Sequence, residues 1–196
     1  MVKKIGVIAF ILLCSACSIA QKIFLKVTID NKVSPPQSDT IYYNKSRLLT
    51  WADFKGVPDN NHAGGAVTAS GFAFDAKMDM VANKVYMNIK VYTFFCKQSS
   101  WKKPNINSAY HLLHEQHHFD ITRLAAEQFV EELANSNLTA DNYQKVLTDV
   151  FNKVNNKSAE LQTAYDRETD HSINREAQLR WNDKIANAMK GLEIKN

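Results

Sequence analysis

Between positions 85 and 92, apolar and polar side chains alternate one for one: Val85, Met87, Ile89 and Val91 against Tyr86, Asn88, Lys90 and Tyr92. A period of two predicts a strand with one buried face. Residues 66–75, AVTASGFAFD, supply a partner strand, joined to it through a turn or short strand over 76–84. An earlier extended segment, TIYYN at 40–44, leads into LTWADFKGVP. Gly56, Pro58 and the following Asp59, Asn60 and Asn61 mark a turn there. The stretch KVSPPQSD at 32–39 reads as a linker in front of this sheet.

Past Trp101 and Pro104 the period changes to that of a helix, with Asn107 or Ser108 as its N-cap. The first helix is expected over 109 to about 134, with Leu112, Phe119, Leu124 and Leu133 among its apolar positions, and NSNLTAD breaks it. A second helix follows over 141 to about 169, and a third over 174 to 189. Strands first and helices afterwards predict an α+β fold, an N-terminal, mainly antiparallel sheet followed by three helices.

Composition narrows the class. A chain of 196 residues, 45% hydrophobic and 22% charged, has enough apolar content for one domain with its own core. The formal charge of +4 is mild, and no basic stripe interleaved with aromatics occurs, so nucleic acid is not an expected partner. The first twenty residues have the form of a signal peptide: Lys3 and Lys4, an apolar run from Ile5 to Leu13, then small residues. That run is too short for a transmembrane helix in the mature chain. Two endings compete. Ser18 and Ala20 fit a small-residue cleavage site before Gln21, and Cys17, after Ser15 and Ala16, resembles a bacterial lipoprotein box despite Cys14 at an aliphatic position. Cleavage after Ala20 fits the small-residue rule better, with a lipid anchor at Cys17 as the alternative. Either route predicts an exported chain, periplasmic, secreted or attached to the envelope. The expected organisation is a signal peptide over 1–20, an N-terminal segment and linker over 21–39, and a single domain over 40–196. Cleavage after Ala20 leaves Cys96 alone, so the core and not an internal disulfide must stabilise the fold.

The chemistry concentrates in HLLHEQHHFD, residues 111–120. On a helix, His114 and His118 lie about 40° apart and can offer two imidazole nitrogens to one ion. Glu115 projects about 100° from His114, where it can reach a water on that ion without being a ligand. This is the HExxH spacing of zinc hydrolases, with Zn2+ activating water and the glutamate taking its proton. His111, three before His114, allows a competing pair, but only His114 and His118 also set a carboxylate beside the water.

A catalytic zinc needs a third protein ligand. The candidates lie in YDRETDHSINREAQLRW, residues 165–181, where His171 and Glu168 are three apart near the end of the second helix. His171 is favoured, because His62 falls in a turn-rich loop before the sheet; Glu168 would give two histidines and a glutamate.

LTWADFKGVP, AVTASGF, HEQHHFDI and YDRETDHSINREAQLRW, in this order, resemble domain of unknown function 922, a bacterial family described as predicted secreted zinc-dependent proteases. The resemblance spans roughly residues 48–182. It implies His114 and His118 as ligands, Glu115 as catalytic base, and Tyr165, Asp166, Thr169 and His171 as part of the site. Two positions depart from the expected pattern: His117 and Ser172 stand where glycine is usual. Together with the order of elements, the resemblance implies the zincin layout, in which the strand before the HExxH helix can pair with an extended substrate.

The expected activity is therefore zinc-dependent hydrolysis of a peptide or protein substrate outside the cytoplasm. Tyr165 is a candidate to bond the oxyanion. The alternative class is an envelope binding protein whose zinc only stabilises the fold. An open coordination position separates the first from the second.

Overall fold

The computed structural model describes residues 21–35 and 37–195. The signal-peptide and lipid-anchor expectations, including Cys14 and Cys17, fall outside these residues. Six strands precede three helices: β1 (Ile23–Ile29), β2 (Thr40–Tyr42), β3 (Ala66–Val67), β4 (Ser70–Val81), β5 (Lys84–Cys96), β6 (Trp101–Lys102), α1 (Ala109–Ala134), α2 (Tyr143–Thr169) and α3 (Arg175–Lys195). The fold is α+β.

The alternating strand read from the sequence is the centre of the sheet. Along one edge β5 pairs antiparallel with β4, from Ser70 opposite Phe95 to Val81 opposite Lys84. The other edge is shared by β1, parallel over Val85 to Val91, and β2, antiparallel over Phe94 to Cys96. Two features differ from expectation. The stretch 76–84 is mostly the continuation of β4, and the reversal is confined to Ala82 and Asn83, with φ of 47° and 60°. Both residues are left-handed, as the tight two-residue hairpin turns require, and neither is the glycine that would have announced it. Secondly, the front of the 21–39 segment, expected as a lead-in and linker, is a strand that pairs parallel with β5 in the otherwise antiparallel sheet. No antiparallel neighbour in sequence signals a parallel pairing between β1 and β5, which are separated by more than fifty residues.

Val85, Met87, Ile89 and Val91 face inward and pack with Phe72 against Ala125, Ala126, Phe129 and Leu133 of α1. Leu147 and Val154 of α2 close the same core. A second cluster joins Ile41, Leu49 and Phe54 to Phe95 and Phe119, and the LTWADF stretch is fixed there because Leu49 N donates to Gln116 Oε1 at 2.8 Å. A third joins Ile121, Tyr165, Trp181 and Ile185 across all three helices. Helix α1 is thus covered by the sheet on one side and by α2 and α3 on the other. From His114 to Thr122 it is almost wholly buried together with its polar residues, and buried polar groups require partners. Those partners build the site.

Among the described residues, no helix is long and apolar enough to cross a membrane. Cys96 is a free thiol.

Candidate metal centre

Ser108 caps α1, its Oγ accepting from His111 N at 3.2 Å. His111 then bonds back to the same hydroxyl through Nδ1 at 2.6 Å. The competing His111–His114 pair is thereby excluded, since His111 is held at the cap. One turn on, His114 and His118 present their rings to α2, with Nε2 atoms 3.3 Å apart. Asp166 Oδ1 lies 3.1 Å from the first Nε2 and 3.0 Å from the second. His114, His118 and Asp166 form a group that could hold a metal ion.

The far side of each ring is fixed by an amide. Gln178 Nε2 donates to Tyr165 Oη and Asn182 Oδ1, which turns its Oε1 to His114 Nδ1 at 2.9 Å. Gln162 Nε2 donates to the His118 carbonyl and Thr122 Oγ1, which turns its Oε1 to His118 Nδ1. In both histidines Nδ1 therefore carries the proton, and the neutral imidazole has its lone pair on Nε2. Two such lone pairs and a carboxylate oxygen facing one another repel unless a cation or additional protons stand between them. Without a cation, protons on the two Nε2 atoms must take its place: burial would raise the Asp166 carboxyl, but the hydrogen bonds that such protonated histidines donate hold it well below the usual carboxylate range. Burial would conversely lower the His118 imidazole, but its bond to Asp166 and the nearby Glu115 charge raise it.

Glu115 is buried, and Thr68, on the short link between β3 and β4, donates to its Oε2 at 2.8 Å. Among the described residues no hydrogen bond engages Oε1. Glu115 and His114 line a small crevice with Gly65, Ile106, His111 and His171.

The expected third ligand, His171, is next to the group and not in it. Its Nδ1 lies 3.5 Å from Asp166 Oδ1, and its ring faces His62 with centroids 6.1 Å apart. The atom converging on both Nε2 positions belongs to Asp166, held on α2 four residues after Gln162. His171 lies past the end of α2 in a run of three left-handed residues, Asp170, His171 and Ser172, with φ of 47°, 50° and 74°. The last is a conformation that glycine takes without strain and serine does not. Glu168 faces elsewhere, accepting from Trp181 Nε1 at 2.8 Å.

Tyr165 is not available to an oxyanion. It is fully buried, its ring stacks on His114 with centroids 4.5 Å apart, and its hydroxyl lies between Gln178 and the His114 carbonyl. Burial pushes its phenol well up, so it stays neutral. Asp120 accepts from Tyr43, Gln116 and His117 on the other side of α1.

With both histidines and Asp166 converging, the stretch that holds them can be compared with known families. Residues 97–172 match a family model described as a bacterial protein of unknown function, DUF922. The match is to DUF922. It runs from the end of β5 to Ser172, so it contains His114, Glu115, His118, Asp166 and His171 and stops before Gln178. The DUF922 description names no activity. No match was found among curated proteins or among solved structures.

Gln162, Gln178 and Thr68 escaped the sequence reading. Gln162 had a signal: it lies four before Asp166 and so shares its helix face. Thr68 and Gln178 are brought to the site only by the packing of the β3–β4 link and α3 on α1.

Proposed function

We propose that this chain is a zinc-dependent hydrolase acting on peptide bonds outside the cytoplasm. The observation that carries the reading is the convergence of His114 Nε2, His118 Nε2 and Asp166 Oδ1, with edges of 3.0, 3.1 and 3.3 Å. Tetrahedral zinc with bonds of 2.0–2.1 Å requires ligand atoms about 3.3 Å apart, so the set fits with little adjustment. Two imidazoles and one carboxylate are also a donor set of catalytic rather than structural zinc.

When bound, zinc would supply a Lewis acid that lowers the pKa of water on its open side. The remaining chemistry falls to the chain. Thr68 holds Glu115 through Oε2, leaving Oε1 to take the proton of the attacking water and return it to the leaving amine. Gln178 and Gln162 keep the ligand nitrogens unprotonated and aimed, and Tyr165 supports the His114 ring from behind. His171 lines the crevice, with His62 behind it, and is placed to bond the substrate carbonyl or to take over a coordination position from Asp166. Export follows from the form of residues 1–20.

The test is elemental analysis of the purified chain together with hydrolysis of a mixed peptide library, with and without a chelator. The proposal predicts about one zinc per chain and cleavage that the chelator abolishes and added zinc restores. Bound zinc with no cleavage across a broad library would favour the stabilised binding protein instead.

A further inference from the structure

The molecule has an exposed apolar end far from the metal group. At the tip of the β4–β5 hairpin Met80 and Val81 are 69% and 59% exposed, and Phe24 of β1 is 43% exposed. Register decides how they are displayed. Met80 lies opposite Val85, on the core side of the sheet, while Phe24 lies opposite Tyr86, on the outer side, and stacks on it at 5.2 Å. Val81, next to Met80, shares the outer side. The tip therefore shows apolar side chains on both faces, although the outer one also carries Lys84, opposite Val81, and Asp79, whose carboxylate is paired with Lys77 at 3.2 Å. Exposed Lys22 and Lys84 flank it, with Lys84 Nζ 5.7 Å from the Phe24 ring.

Residues 1–20 join the described chain at this same end. Gln21 Nε2 donates to Asn83 O in the hairpin turn at 2.6 Å, and its own carbonyl accepts from Ala140 N at 2.9 Å. The connection to the apolar leader is thus fixed beside Met80 and Val81. Gln21 is four positions after Cys17, a distance of at most about 14 Å along the chain. A lipid on Cys17, the alternative to cleavage after Ala20, would hold this end at the membrane.

We propose that the hairpin tip is a membrane foot: Met80 and Val81 enter the interfacial layer of an anionic bilayer, with Lys22 and Lys84 at the level of its headgroups. The metal group then faces away from the membrane. His118 and Leu133, which packs near the base of the hairpin, are fifteen residues apart on α1, or about 22 Å. The crevice would serve substrates in the aqueous space and not lipids or membrane-spanning segments. The foot rests on the export reading with Cys17 kept as the lipid anchor, and is independent of hydrolysis, since an inactive chain would dock in the same way.

Tryptophan emission tests it. Native Trp51, Trp101 and Trp181 lie around the site: Trp51 Nε1 on Ser108 O, Trp101 against His62, Trp181 against Tyr165. The full chain and its Met80→Trp and Val81→Trp variants would be reconstituted with vesicles of phosphatidylglycerol and phosphatidylethanolamine whose acyl chains carry bromine, a quencher. The foot predicts that emission added at 80 or 81 falls at least twofold with brominated lipid while that of the unsubstituted chain is unchanged, with zinc content equal in all three. Quenching of the native tryptophans, indifference at both 80 and 81, or no association with vesicles would overturn it. Spectral shifts at 80 that follow protein concentration without lipid would assign the tip to a second copy, and would overturn it equally.

Discussion

His114 on α1 donates from Nδ1 to Gln178 Oε1 on α3 across 2.9 Å, and this bond sets which nitrogen the histidine offers to the metal group. The same arrangement recurs between His118 and Gln162. Replacing Gln178 or Gln162 with Leu keeps the volume and removes the acceptor. Zinc affinity, measured by competition with a chelator, is expected to fall about 10–100-fold for each, the usual effect of losing a ligand's outer partner. Equal affinity in both variants would mean that the amides only fill space.

The third ligand divides two neighbouring side chains. Asp166→Ala is expected to lose most bound zinc, as are His114→Ala and His118→Ala, whereas His171→Ala should keep at least half, judged by elemental analysis. The reverse result, with zinc retained by Asp166→Ala and lost by His171→Ala, would return the coordination position to the histidine.

How far the sequence could be read follows from where each element gets its order. Helix α1 was legible almost to the residue, because Ser108 and the period of its apolar positions are local signals. His114, Glu115 and His118 were legible for the same reason: their geometry is set within one helix. His171 was named from its place near the end of the second helix, whereas Asp166 came only as a member of a resembling segment. Choosing between them needs the left-handed turn at 170–172, and three non-glycine residues in that conformation give no warning in the sequence. The parallel pairing of β1 with β5 and the approach of Thr68 to Glu115 are contacts between distant parts of the chain, and neither leaves a periodic trace.

That turn predicts a gain in stability. Ser172 has a φ of 74° and its side chain is buried without a hydrogen bond of its own among the described residues. Ser172→Gly should relieve the conformation and raise unfolding stability by about 1 kcal/mol, read from the urea midpoint at constant slope. Destabilisation instead would show that the serine side chain packs to more effect than the strain costs.

Acid sensitivity should have a contribution from Asp53, away from the metal group. Burial would raise its carboxyl, but Arg47 and Thr50 bond it and hold it below the ordinary value of 3.8. A carboxyl depressed in the folded state stabilises fully above its unfolded pKa, and that contribution is lost as pH falls below about 4 toward the folded value. Asp53→Asn is expected to cost roughly 1–3 kcal/mol at pH 7 and to flatten the stability profile between pH 5 and about 3. A variant profile parallel to that of the unsubstituted chain would remove Asp53 from the account.

Glu115 carries the claim that the metal centre is catalytic. Glu115→Gln preserves the shape and the bond from Thr68 but cannot accept a proton, so zinc content and peptide hydrolysis should be measured on the same preparation. The account predicts zinc within about a fifth of the unsubstituted chain's and hydrolysis lowered by about 10²-fold or more, the range for losing a general base. Hydrolysis undiminished at full zinc occupancy would contradict it.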